Sequence, residues 1–219
     1  MINFNKLVEA HLFREQKAKQ IGRYYPSEIG SCMRKVWYSY KRPQQISVDT
    51  LKIFEAGNII HGFVVEVFKS EKNKDVQLLH EELPFKHQEK DFVISGRIDD
   101  LVLLKDKNEK VLVEVKSAKS IDMHDKASVT HEMQLLLYMH LLEIHKGVVL
   151  YVDKTNLNSK VFEVPYDAKR AEQVISRFKK LDTCLKGNEL PEAEARQLEE
   201  MNWMCRFCEY AEVCEKNEQ

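Results

Sequence analysis

Gly96-Arg97-Ile98-Asp99-Asp100-Leu101-Val102-Leu103-Leu104, a charged turn over Lys105-Asp106-Lys107-Asn108-Glu109-Lys110, and then Val111-Leu112-Val113-Glu114-Val115-Lys116 form the stretch that decides the fold. Two apolar runs rich in branched residues flank the turn, the pattern of a β-hairpin. Strand side chains alternate faces, so Val111, Val113 and Val115 share one side and Leu112, Glu114 and Lys116 the other. A carboxylate and an ammonium therefore stand on one face, roughly 7 Å apart along the strand. In a strand that otherwise reads as buried, both charges need a reason, because unpaired buried charge is costly. Asp99, on the neighbouring strand, can bring a second carboxylate to the same place.

Two carboxylates and a lysine are the parts of a divalent-metal phosphodiesterase site. Their hard oxygens suit Mg2+ or Mn2+, and the Val115 carbonyl is a further candidate ligand. A metal held there lowers the pKa of a bound water and neutralises charge on a scissile phosphate, with Lys116 orienting the water or stabilising the developing charge. A structural ion pair at a sheet edge is the competing account of the same three residues.

The chain has 219 residues, 43% hydrophobic and 32% charged, which is the composition of an ordinary globular protein. Its formal net charge of −1 excludes a global basic field, so contact with nucleic acid has to be local. No apolar run is long enough to span a membrane, and the opening Met1–Lys6 has no charged-then-apolar signal pattern, so a cytoplasmic location without membrane partners is expected.

Working outward, a short amphipathic helix is predicted over 3–20, with Phe4, Leu7, Val8 and Leu12 on its apolar side. Pro26 and Ser27 open another helix. A third runs over 49–69, capped by Asp49 or Thr50, and carries His61. A strand is predicted over 76–85, with Phe92 to Ser95 leading into the hairpin. A helix over 126–145 places Gln134 and Tyr138 on one face, suited to contacting a carboxylate or a substrate backbone. Strands at 148–152 and 161–164 and a helix from Asp167 to about Leu185 follow. The fold expected is α/β: a mixed central sheet flanked by helices, in one domain over 1–219.

Five cysteines, Cys32, Cys184, Cys205, Cys208 and Cys214, are an odd number without a secretion pattern, which argues against a disulfide framework. Three of them cluster as Cys-x2-Cys-x5-Cys, the look of metal ligation. Cys184 reads as a small apolar residue filling core space.

Asp-x14-Glu-x-Lys, with Gly96-Arg97-Ile98-Asp99 around its start, His61 upstream and Gln134-x3-Tyr138 downstream, resembles the PD-(D/E)XK nuclease superfamily in its RecB-like branch. The resemblance implies a restriction-endonuclease-like core over about 49–186, with Asp99, Glu114, Lys116, Gln134 and Tyr138 catalytic and His61, Asp99, Glu114 and Val115 on Mg2+ or Mn2+. One cysteine before that core, Cys32, and three after it, Cys205, Cys208 and Cys214, match the iron-sulfur variety, in which they hold a 4Fe-4S cluster. The cluster would sit in a cap made of about 23–45 and 187–219. Zinc is the competing occupant, although Cys32 lacks the close partner that zinc sites usually show.

The whole set is similar to CRISPR-associated RecB-like exonucleases of the Cas-four type. That likeness implies metal-dependent exonuclease action on single-stranded DNA or overhangs, trimming of prespacer ends during spacer acquisition, and partnership with the integrase and its accessory nuclease. A viral or repair iron-sulfur nuclease, or a DNA-binding adaptor with a vestigial site, accounts for the same motifs. Arg23, Arg34, Lys35, Lys41, Arg42, Lys119 and Lys126 are candidates for phosphate contacts, and Tyr24, Tyr25 and Trp203 for stacking on bases.

Overall fold

Strands β1 (Arg23–Tyr24), β2 (Val76–Gln88), β3 (Val93–Leu104), β4 (Glu109–Ala118), β5 (Lys146–Asp153) and β6 (Ser159–Pro165) form one mixed sheet. The computed structural model describes residues 1–15 and 17–216. Strands β3 and β4 make the expected antiparallel hairpin, paired from Leu104–Glu109 to Asp100–Val113. Its turn ends on Asn108, whose φ of +50° lies in the left-handed region that asparagine tolerates well. On its outer side β4 runs parallel to β5, and β5 antiparallel to β6. β2 lies antiparallel along β3, while β1 pairs in parallel with Val93 and Ile94. The stretch 95–99 of β3 thus lies between the β1 ladder and the β4 ladder, and side chains serve part of its backbone.

The alternation along β4 puts Val111, Val113 and Val115 under helix α4 (Val48–Lys69), against Ile60 and Val64. Leu112 faces helix α5 (Val129–Leu142), packing with Leu135, Leu136 and Met139. Helix α6 (Ala168–Gly187) lies over α5, where Val174 and Phe178 meet Leu137. Because α5 is enclosed between sheet and outer helix, Leu135-Leu136-Leu137-Tyr138-Met139 is apolar on every side, without the single stripe of a surface helix.

Several boundaries differ from the sequence reading. Helix α1 (Phe4–Leu12) is shorter than the predicted 3–20 and buries none of its residues. Beyond Leu12 the charged residues supply no apolar stripe, and Lys19 reaches across to Glu28 at 2.7 Å and Ser39 at 2.9 Å; Gln16, inside the predicted span, lies outside the described residues. Ser47, not Asp49 or Thr50, caps α4: its hydroxyl accepts from the Thr50 N–H at 3.2 Å. β2 continues past 85 to Gln88 because Lys86 to Gln88 pair with Val93 to Ser95. Helix α5 starts at Val129 and stops at Leu142, where Glu143 turns left-handed at φ +56°.

Helices α2 (Pro26–Ile29) and α3 (Met33–Lys41) meet the C-terminal elements α7 (Glu194–Gln197), a 3-10 helix over Glu199–Phe207 and α8 (Ala211–Lys216). Glu194 fastens the two ends. It accepts from the Met33 N–H at 2.9 Å and from both terminal nitrogens of Arg177 at 2.7 and 3.0 Å. Arg177 also donates to the carbonyls of Ile29 and Ser31. Residues 217–219, within the expected cap, lie outside the described residues. Among the described residues no helix is long and apolar enough to cross a membrane.

Candidate active site

Asp99 sits at the mouth of the hairpin, just past its last paired residues. Its Oδ2 accepts from the Val115 N–H at 2.8 Å, so a carboxylate stands where a main-chain carbonyl would continue the ladder. Glu114, on the α5 face of β4, is 0% exposed; its Oε1 accepts from Lys116 Nζ, and its Oε2 has no partner. Burial raises the Glu114 pKa, with the Asp99 charge adding to it, to about 7. Burial likewise raises Asp99, against the opposing pull of Lys116 and the Val115 N–H. Burial works to lower Lys116, but Glu114 and Asp99 outweigh it and hold its ammonium charged.

Two carboxylates that resist ionising, Glu114 buried with a bare oxygen and Asp99 half-buried at the cavity wall, form a site short of positive charge. Among the described residues no three His, Cys, Asp or Glu side chains converge as a ready-made metal cage. Two carboxylates and a main-chain carbonyl nonetheless fit Mg2+, which keeps several waters and takes one or two protein carboxylates.

Asp100, which sequence reasoning passed over, is the partner of His61. The two consecutive aspartates point to opposite faces, and Asp100 turns toward α4, where its Oδ2 lies 3.2 Å from His61 Nε2. Asp100 is fully buried and its Oδ1 has no partner. The contact with Asp100 raises the His61 pKa. The Asp-Asp doublet in a strand was the available signal, since alternation forces one carboxylate onto each face.

Helix α5 supplies the opposite wall. Gln134 Nε2 donates to the Tyr138 hydroxyl at 2.9 Å, and that hydroxyl donates to the Arg97 carbonyl at 3.1 Å. Tyr138 is almost wholly buried, and burial raises its pKa. It therefore acts as a positioning residue, holding Gln134 so that its amide oxygen is left for the cavity and tying down the backbone just before Asp99.

His131, one turn earlier, was also missed as a site residue. The Tyr151 hydroxyl accepts from the Ser128 N–H at 3.0 Å and lies 2.7 Å from His131 Nδ1, so this hydroxyl fixes the ring. Burial, with Lys116 nearby, lowers the His131 pKa to about 3, leaving a neutral ring.

His61, Asp99, Val115, Lys116, His131 and Gln134 line one cavity of about 830 Å3. A second, of about 610 Å3, shares Asp99, Arg97 and Gln134 with it and extends past Arg23 and Tyr138. Sharing those walls makes the two a groove running past Asp99.

The proposed DNA contacts divide. Arg23 donates to Ser95 Oγ at 3.0 Å and lines the second cavity, and Lys35 lines the first while pairing with Glu209 at 3.0 Å. Tyr24 is the correction: it is 0% exposed, its hydroxyl donating to Asp182 at 2.7 Å, so it belongs to the core and is closed to a nucleic-acid strand. Arg34 is turned inward, donating to the Pro191 carbonyl at 2.6 Å and to Cys214 Sγ at 3.6 Å. Lys119 is exposed beyond β4, outside both linings.

Cys32, Cys205, Cys208 and Cys214 line one small cavity of about 60 Å3, enclosed by Tyr38, Ala193 and Tyr210. Four thiols around one space, with the Arg34 guanidinium beside one of them, are a donor set that fits a thiolate-bound metal group. Cys184 stands apart, packed against the aromatic core of α3 and α6.

A pair of carboxylates beside a lysine, on a mixed sheet between helices, is an arrangement found among metal-dependent nucleases, and the sequence comparison places the chain in such a class. The chain belongs to the PD-(D/E)XK nuclease superfamily, whose model matches residues 13–215. It is 25% identical over 215 residues to the CRISPR-associated exonuclease Cas4 of Saccharolobus solfataricus, covering 95% of this chain and 94% of that one. The fold matches the crystal structure of SSO0001 with a TM-score of 0.64 at 21% identity, over 96% of this chain and 92% of that one. It also matches an alkaline exonuclease from Laribacter hongkongensis with a TM-score of 0.55 at 11% identity, over 77% of this chain and 90% of that one.

Proposed function

We propose that this protein is a divalent-metal-dependent DNA exonuclease acting on single-stranded DNA or overhangs. The observation that carries the proposal is the bare, buried Oε2 of Glu114, whose other oxygen accepts from Lys116, while Lys116 and Asp99 line an open groove. Asp99, Glu114 and the Val115 carbonyl would hold Mg2+ or Mn2+, with His61 as the further candidate ligand. Such an ion supplies a water acidic enough to attack at neutral pH and offsets phosphate charge. The chain's own residues do the rest. Lys116 keeps a charged ammonium at the cavity wall for the phosphate, Gln134 presents an amide fixed by Tyr138, and His131 adds a neutral imidazole to the same wall.

Cys32, Cys205, Cys208 and Cys214 would hold a 4Fe-4S cluster in a cap built from about 23–45 and 187–219, over a nuclease core of about 49–186. The four thiols line a shared space, a donor set that suits an iron-sulfur group. Similarity to the archaeal CRISPR-associated exonuclease supports the cellular half of the reading: trimming of prespacer ends during spacer acquisition, with the integrase and its accessory nuclease as partners.

Anaerobic purification with iron and sulfide analysis, followed by Mg2+ or Mn2+ digestion of end-labelled single- and double-stranded DNA, tests both halves. Iron and acid-labile sulfide are expected, as is cleavage abolished in Glu114→Ala and Asp99→Ala. Zinc without iron overturns the cluster, and equal digestion by wild type and variants overturns the site.

A further inference from the structure

The groove has a second wall that the catalytic residues do not explain. Trp203 and Phe207, on the 3-10 helix, are 51% and 79% exposed, and Phe54 on α4 is 48% exposed, yet all three line the cavity that holds Asp99 and Lys116. Large aromatic rings left open to solvent inside a functional cavity call for a partner with apolar faces. The same cavity is also lined by Lys116, Lys154, His131 and Gln134, which offer charge and hydrogen bonds. One wall for flat apolar faces and one for anionic oxygens are the two demands of an unpaired nucleic-acid strand.

We infer that Trp203, Phe207 and Phe54 form a base-stacking subsite that holds unpaired nucleobases next to the scissile position, while the sugar-phosphate chain passes along the Lys116 wall. The inference rests on reading the cavity as a DNA site and adds how that site selects its substrate. Base faces in a duplex are already covered by their neighbours, so these rings reward only a strand that has been separated. Selection for single strands then comes from binding, not from the metal chemistry. The ledge also belongs to the cysteine segment: Phe207 stands between Cys205 and Cys208, and Trp203 precedes Cys205 by two residues.

The chain's own fluorescence tests this. Of its two tryptophans, Trp37 is buried in the core and Trp203 is exposed. Titration of the full-length protein with a short oligothymidylate, without divalent metal so that no cleavage occurs, is expected to quench Trp203 emission; a blunt hairpin duplex is expected to leave it unchanged. By anisotropy of a labelled oligothymidylate, Trp203→Ala and Phe54→Ala each weaken binding on the order of tenfold, while Trp203→Phe, which keeps a ring, stays near wild type. Phe54 lies on a different element from the cysteines, so its variant reports on stacking even where a change beside Cys205 perturbs that segment.

Absence of quenching, or equal weakening for single strand and duplex, overturns the ledge. Quenching without any cleavage once Mn2+ is added overturns the nuclease reading and leaves the ledge standing, whereas cleavage without quenching does the reverse.

Discussion

Replacing Glu114 with glutamine should abolish cleavage and, above neutral pH, stabilise the metal-free fold. The carboxyl is fully buried with one bare oxygen, and its pKa rises from 4.5 to about 7. A group whose folded pKa is raised favours the fold while protonated: its contribution is complete below about pH 4.5 and is lost as pH climbs through about 7. A rise from 4.5 to about 7, at roughly 1.4 kcal/mol for each tenfold change in proton affinity, makes the whole loss about 3–4 kcal/mol, most of it between pH 5 and 8. Glutamine is isosteric and never ionises. Metal-free wild type and Glu114→Gln should therefore have similar stability near pH 5 and diverge by about 3 kcal/mol in favour of the variant near pH 8, a Tm gap of about 6–12 °C for a chain of this size. Differential scanning calorimetry under anaerobic conditions across that range measures it, and millimolar Mn2+ should close the gap by stabilising wild type alone. A gap that stays constant with pH would show that the buried carboxylate is not the source and would refute the reasoning.

Three further outcomes follow from the same geometry. His131→Ala should lower cleavage by about 10–100-fold, the worth of a hydrogen bond to a charged group, and because the imidazole protonates only below about pH 3, the wild-type rate profile over pH 5–8 should carry no His131 inflection. Tyr138→Phe should cost about 1–3 kcal/mol of stability by leaving the Arg97 carbonyl and Gln134 without their shared hydroxyl, and should slow cleavage without changing DNA affinity; urea unfolding and binding titrations separate the two effects. At Gly30 an added Cβ would lie 2.6 Å from the Thr130 Cα, so Gly30→Ala should displace the start of α5 from the cysteine-bearing loop, costing about 1–3 kcal/mol by thermal unfolding and lowering activity through His131 and Gln134.

Period-two alternation made the hairpin legible, because one register decision places every side chain of β4, and Glu114 and Val115 fall on the faces it assigned. The burial of α5 was equally legible from its unbroken apolar run. The His61–Asp100 pair was not, since nothing local tells which of two adjacent aspartates faces a helix 39 residues away in the chain. Tyr24 misled because an aromatic beside basic residues reads the same whether it packs or stacks; only its bond to Asp182, across 158 residues, decides. Helix α1 was overextended because charge interleaved with apolar residues mimics amphipathicity, although the helix buries none of its residues.

The clamp made by Arg177 and Glu194 has a consequence in time. It joins residues 29–33 to a segment made 161 residues after Met33, and Trp203 and Phe207 come later still. During translation the sheet, α4 and α5 can assemble first, since domains build from the N-terminal side as the chain emerges. The groove lined by Asp99, Lys116 and Phe54 can then form while Trp203 and Phe207 are still inside the ribosome. A nascent chain thus passes through an open half-site before the two rings of the cysteine segment reach it.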